Sequence, residues 1–558
     1  MKSPFPSVLF TLLLLFFTQV AFAGSATWNL NPTSGDWNTA ANWAPATVPN
    51  SSSDTATFGI SNTTAVSLSA SVTINGILFN PSASVFTISP EPNGTGLTFS
   101  GLGVTNNSGI TQNFVATGIS TARGFMIFAN SASAGSDTVF TIQPGAPYGG
   151  LVEFDDTSSA GAATFDVEGG TATDNQGNLW FYDSSSAGSA TIIGHHGTGS
   201  LGGAIYFYDI ATGGNANLVV EGGASGEFES EQAFVSFQMD SRAENATITV
   251  NGATSVGTYD GRASVGFADR TSADNATLIA NGGTNGGSGG LVEFTEFAKG
   301  GTPRVELFGN GQLLIAFHFG APLVIGSLEG DGQVILGANN LTAGSNSLST
   351  RFAGIIEDND GSGDTGGSLT KTGDGTLTLT GANTYTGGTL INGGILVVNN
   401  RSGSATGTGI IQVREGTLGG KGTVAGAVNI GIGNGVGAFL APSIGASRPA
   451  SATIQGLLTF QADGTYTYEL NTRRAMADQV TANGVTINSG AQFDLHPLGN
   501  RALTIGQVFT AIRNSSAAPI SGTFANLADG STITIGRNNF QADYEGGDGN
   551  DLTLTVVP

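Results

Sequence analysis

Apolar residues alternate with polar ones inside short segments, and the segments themselves recur at a longer period. Phe128, Phe154, Phe181, Phe207, Phe237, Phe267 and Phe294 follow one another at steps of 26, 27, 26, 30, 30 and 27 residues. Two positions before each stands Met126, Val152, Leu179, Ile205, Val235, Val265 or Val292, and eleven after stands Val139, Phe165, Ile192, Leu218, Ile248, Leu278 or Val305. Alanine is usual nine positions after the Phe and glycine fifteen after, and every change in length falls beyond this shared core. Each unit therefore predicts a strand of the form apolar-x-Phe, then a polar turn such as "DDTSSAG". A second strand of the form Ala-Thr-apolar follows, then a glycine turn and a loop of variable length. Helical spacing is absent.

A unit this thin cannot bury its apolar face alone. Stacked units can, because like residues then lie over like residues about 4.8 Å apart. The fold class expected is all-β: a right-handed parallel β-helix, or β-solenoid, with N- and C-terminal caps and the phenylalanines in an internal file. An array of β-sandwiches is the alternative, but constant offsets with insertions at one place favour the solenoid. Roughly 25 residues per coil would give about 20 coils and a rod about 100 Å long. The organisation expected is a leader over 1–23, a cap and first coils over 24–103, and about seven regular repeats over 104–320. Further coils over 321–400 and closing coils with a cap over 401–558 complete it. Trp28, Trp37 and Trp43 sit in "WNLNPTSGDWNTAANWAPATVPN" and read as the N-terminal cap; an exposed sugar-binding row is the alternative.

Composition narrows the function classes. There are 87 glycines in 558 residues, about twice ordinary usage, and charged residues make up only 11%. This suits many short strands joined by tight turns. The net charge of −23 repels phosphate backbones and anionic head groups, so no nucleic-acid partner is expected. No cysteine is present, which excludes disulfides and thiol chemistry. Lys2 precedes the apolar run "VLFTLLLLFFTQVAFA", which ends in Ala21-Phe22-Ala23, the pattern of a cleaved export signal. After its removal no integral membrane segment is expected.

The segment "GGSLTKTGDGTLTLTGANTYTGGTLINGGILVVNN" resembles the autotransporter-associated β-strand repeat, also called the passenger-associated transport repeat, over residues 369–400. The preceding "IGSLEGDGQVILGANNLTAGSNSLSTRFAGII" is similar to the lead-in usual for that repeat. "GDWNTAANWAPATVPN" and "YEGGDGNDLTLT" resemble the ends of large exported bacterial proteins that carry it. The resemblance implies a β-helical passenger, secreted or held at the cell surface of a Gram-negative-type bacterium, with the repeat assisting secretion and folding. Such proteins end in an outer-membrane barrel, whereas residues 401–558 lack regular aromatic-girdled strands, so no C-terminal barrel is expected. The resemblance transfers no catalytic residue.

The candidate chemistry is mostly acidic. Two positions after each Phe come Asn130, Asp156, Asp183, Asp209, Met239, Asp269 and Glu296. Stacking would bring these carboxylates into a column that faces solvent, closes turns through backbone hydrogen bonds, or holds Ca²⁺. "EDNDGSGDTGG" places Asp358, Asp360 and Asp364 at the spacing of a calcium loop, although Leu369 stands where the bidentate Glu belongs. Asp156, Asp183, Asp209, Asp269, Asp358, Asp360 and Asp364 are thus the calcium candidates, and no other cofactor is expected. "GGDGND" is a single copy of a calcium-repeat-like sequence. His195 and His196 are neighbours that would point to opposite faces of an extended chain. No phosphate loop, nucleophile elbow or zinc motif occurs. The expected function is that of an exported, non-enzymatic, adhesin-like solenoid touching extracellular polysaccharide or cell-surface components. The alternatives are a β-helical polysaccharide lyase or hydrolase, for which Asp155 with Asp156 or Asp183 with Asp209 are imaginable pairs, and a carbohydrate-binding module.

Overall fold

The computed structural model describes residues 24–558 apart from 120–121, 172–174, 199–200, 225–231, 257–260, 359–362 and 445–447. The leader read at 1–23 lies outside the described residues. Among the described residues the only helix is the 3-10 turn Ala40–Asn42, and no helix is long and apolar enough to cross a membrane. The chain winds into a parallel β-solenoid of about 17 turns.

The regular repeats show why. Strand Leu151–Phe154 pairs in parallel with Phe125–Phe128 before it and Asn178–Phe181 after it. The series continues through Ala204–Phe207, Phe234–Phe237, Ser264–Phe267 and Leu291–Phe294. Phe stands opposite Phe in every pair, so the ladder register is the register of the sequence repeat. A shift by one residue would turn each Phe to solvent, which pins the alignment. These strands belong to a 15-stranded sheet. The second strand of each unit, such as Thr191–Gly194, Asn217–Val220 and Thr247–Val250, builds a facing parallel sheet. Between the two, Ser133, Ser159, Ser186, Thr212, Arg242, Ser272 and Lys299 form a one-residue ladder along a corner.

The core is an aromatic file. Rings stack from Phe99 to Phe294, with Phe128 and Phe154 centred 4.7 Å apart and Phe181 and Phe207 4.6 Å apart, almost parallel. A second, shorter file of Phe114, Phe140 and Phe165 comes from the facing sheet and meets the first edge to face. Such edge contacts suit the ring quadrupole.

The ends differ from the middle. Trp28, Trp37 and Trp43 are buried against one another and against Phe58. Their indole N–H groups donate to the carbonyls of Thr63, Pro49 and Trp37. These three tryptophans therefore present no exposed row, and a sugar site built on them is ruled out. Near the other end, strands Thr423–Val424, Ser451–Ile454, Gln479–Ala482 and Val508–Asn514 pair in parallel. Antiparallel strands Asp551–Val557, Asn538–Gly546 and Thr532–Ile535 then finish that sheet. Hairpins and long corner loops consume chain without adding turns, which is why the coils are fewer than the expected 20.

Candidate functional site

The acidic column forms as a ladder of left-handed turn residues. Asn130, Asp156, Asp183, Asp209, Met239, Asp269 and Glu296 all have φ between 52° and 62°. Asn and Asp tolerate this region better than most residues. Each carboxylate reaches back one coil. Asp156 Oδ2 accepts from Asn130 N at 2.8 Å, Asp183 Oδ2 from Asp156 N at 3.1 Å, and Asp209 Oδ2 from Asp183 N at 3.2 Å. Asp269 Oδ2 accepts from Met239 N at 2.8 Å, and Glu296 Oε2 from Asp269 N at 3.1 Å. The carboxylates thus bond the backbone of the neighbouring coil rather than closing their own turns. Asp240, beside the Met239 break, is held by Arg270 at 2.6 Å instead. Asp183→Val should lose about 1–2 kcal/mol through left-handed strain alone, while Asp183→Gly should lose less. Urea unfolding of the two variants checks this, and equal losses would reject the strain argument.

The other acidic candidates lie apart from that column. Asp358 is buried, accepting from Thr386 Oγ1 at 2.7 Å, Thr386 N at 3.1 Å and Gly366 N at 3.2 Å. Asp364 is exposed, and Asp360 lies outside the described residues. Asp529, Asp543 and Glu545 form an exposed acidic group that the sequence did not suggest, because the three come together only through the terminal hairpin. His195 and His196 do not diverge as expected. The chain turns there, and their Nδ1 atoms lie 3.0 and 3.7 Å from the same Glu221 Oε2.

A feature overlooked in the sequence lies on the outer face of the 15-stranded sheet. Glu153, Trp180, Tyr206, Ser236, Gly266 and Glu293 are successive ladder partners there. Tyr182 and Tyr208 follow directly after their strands, two residues beyond Trp180 and Tyr206. The Tyr182 and Tyr208 rings stack across coils at 5.0 Å, and the Tyr206 and Tyr208 rings lie 5.4 Å apart and 13° from parallel. Arg123 sits over both Tyr148 and Trp180, 5.4 and 5.8 Å from the ring centres. Burial, with Asp155 alongside, pushes the Glu153 carboxyl up to about 7, and the two side chains share a hydrogen bond. The signal was present as "LWFYD" and "IYFYD", where the residues flanking the core Phe turn aromatic in two successive repeats.

The Thr- and Gly-rich segment after residue 368 forms a coil with polar groups inside it. Asn383 accepts from Ile356 N at 2.8 Å and donates to Ala405 O at 2.5 Å, tying the coils before and after. Buried Tyr385 and Thr389 share a 2.6 Å hydroxyl bond. Lys371 Nζ, also buried, donates to the carbonyls of Thr372 and Gly373 at 2.6 and 2.8 Å. The residues of this coil, 369–398, match the family profile described as passenger-associated-transport-repeat. The chain carries a passenger-associated transport repeat. No curated protein matches the sequence. Among solved structures, the crystal structure of the Haemophilus influenzae Hap adhesin is similar at 11% identity and a TM-score of 0.23. The similarity covers 90% of this chain and 64% of that one, so this chain spans less than two thirds of the adhesin's length.

Within the repeat, burial pulls the Lys371 ammonium down to about 8 from 10.5. The unfolded chain then holds this proton more tightly than the fold does. Stability should accordingly rise as pH climbs from about 8 toward 10.5, as the penalty for burying the charge disappears. Lys371→Met should lack that rise. Thermal melts of both proteins at pH 7.5 and 10 test it, and identical pH responses would reject it.

Proposed function

We propose that this protein is exported and acts at the bacterial cell surface, or after release from it, as an adhesin-like solenoid without catalytic activity. The observation that carries the reading is a passenger-associated transport repeat set in register within a continuous β-solenoid. A repeat that ties the preceding coil to the following one through Asn383 suits a role in assisting passenger folding during secretion. Regular outer columns along one axis offer extended contact, and the partners suited to the charge are extracellular polysaccharide or uncharged cell-surface components rather than nucleic acid.

The carboxyl geometry favours binding over turnover. Glycoside hydrolysis needs two carboxyls about 5–5.5 Å or about 6.5–9.5 Å apart, so that a sugar or a water fits between them. Glu153 and Asp155 touch through a shared hydrogen bond, and the ladder aspartates are engaged with backbone N–H groups. Each ladder carboxylate already has one oxygen bonded to a backbone N–H, and added Ca²⁺ is expected to shift the melting temperature little.

Expression of the full chain in a Gram-negative host tests the reading. External protease should cut the protein on intact cells or find it in the medium. A polysaccharide panel incubated with purified protein should yield no new reducing ends and no unsaturated products. A chain shielded inside intact cells, or reproducible turnover, overturns the proposal.

A further inference from the structure

The outer aromatic group departs from the rule of its own repeat. At the ladder position just before the core Phe, other coils carry Ile127, Ser236 and Gly266, and just after it Ala129, Gln238 and Ala268. Large rings occupy both positions in two adjacent coils only, as Trp180 with Tyr182 and Tyr206 with Tyr208. The buried Phe file does not need these outward rings, since the neighbouring coils stack the same core without them.

Its geometry is that of a wall beside a floor. Rings stacked across coils 5.0 Å apart turn their faces along the solenoid axis. The stack ends at Tyr208, because the next coil offers Gln238, hydrogen-bonded to Ser236 at 3.1 Å, and the coil after it offers Gly266 and Ala268. A Cβ built at Gly266 would meet nothing within 4 Å, so the floor is open there. Glu293, the next ladder partner, closes the far end, and Phe234 meets the Tyr206 ring edge to face at 5.2 Å along one side.

Donors around this floor are unused. Tyr182, Tyr206 and Tyr208 are half-buried, and no protein group bonds their hydroxyls among the described residues. Phenol hydroxyls with no protein partner are free to exchange water for the hydroxyls of a ligand.

We propose that this floor, walled by Tyr206 and Tyr208 and closed by Glu293, binds a pyranose unit of a neutral glycan chain. This rests on the surface-contact reading above. The electron-poor C–H face of a sugar suits the negative face of an aromatic ring, while hydroxyls at the sugar's rim reach the free phenols and the Glu293 carboxyl. The net charge of −23 on the chain repels a polyanion. Burial raises the Glu293 carboxyl above its ordinary value, while nearby Arg262 pulls the other way.

The test uses the full secreted chain with cellohexaose, maltohexaose and mannohexaose, and with polygalacturonate as the anionic arm. Calorimetry reads binding, and Trp180 fluorescence reads location, because the other three tryptophans are buried in the cap. At least one neutral hexaose should bind and shift the emission. Tyr206→Ser with Tyr208→Ala installs residue types that later coils already carry, so folding is preserved, and should weaken binding at least tenfold. Gly266→Tyr fills the floor and should abolish binding with the wall intact. No heat from any neutral hexaose, equal or tighter binding of polygalacturonate, or wild-type affinity in both variants overturns the assignment. Surface exposure on intact cells is scored separately, so loss of the sugar site with display intact refutes this inference alone.

Discussion

Phe207→Ala should lower the unfolding free energy by about 3–5 kcal/mol, the range for truncating a fully buried aromatic ring. The ring is completely buried between Phe181 and Phe237, with centres 4.6 and 4.5 Å away. Both neighbours are held at ladder spacing by parallel backbone pairing, so they cannot close the gap without breaking register. The cavity term therefore stays nearly whole. Because each coil is stabilised mainly by its two neighbours, the damage should also appear as a weak point in the middle of the rod. Urea unfolding should show a lower midpoint or a separate early phase, and limited proteolysis should cut near this coil first. Phe207→Leu should lose clearly less. A loss below about 1 kcal/mol for the alanine variant would mean that the file is not under packing constraint.

Asp358→Ala should be the second most damaging change, at about 3 kcal/mol or more, since hydrogen bonds to a charged group contribute about 1.5–3 kcal/mol each. Removing this carboxylate strands Thr386 N, Thr386 Oγ1 and Gly366 N together. Thr386 belongs to the transport repeat and Asp358 to the coil before it, so the variant also uncouples the repeat from its lead-in. Melting temperature and protease sensitivity around residues 363–367 measure the effect. Asp358→Asn keeps one acceptor oxygen and should fall between wild type and alanine. An alanine variant as stable as wild type would show that the calcium-loop-like acids do no structural work in the absence of metal.

Several of these groups were legible before any coordinate. The Phe file was, because one Phe per unit at a constant offset to its strand neighbours leaves stacking as the way to bury it. The acidic column was visible too, but its bonding was not. A carboxylate that accepts from the backbone one coil away depends on the left-handed turn at the residue it bonds, and turn conformation is not written in the spacing. The calcium-loop spacing around Asp358 hid a buried brace, since its partner Thr386 lies 28 residues further on. Trp28, Trp37 and Trp43 could be read as cap or as platform, because an aromatic in a polar segment is compatible with either. The outward tyrosines were overlooked for the opposite reason. The fold is written in what recurs along the chain, and these rings do not recur.

Alternation of period two, set inside a repeat of 26 to 30 residues, was enough on its own to dictate an all-β coil with one apolar face inward. That follows because burial of a thin unit has few solutions and the period selects among them. Tertiary structure alone decided which outward side chains meet across coils, which acids face backbone rather than solvent, and where the Tyr208 stack gives way to an open floor. Those outcomes depend on corner conformation and ring direction, which arise only once neighbouring coils are in contact.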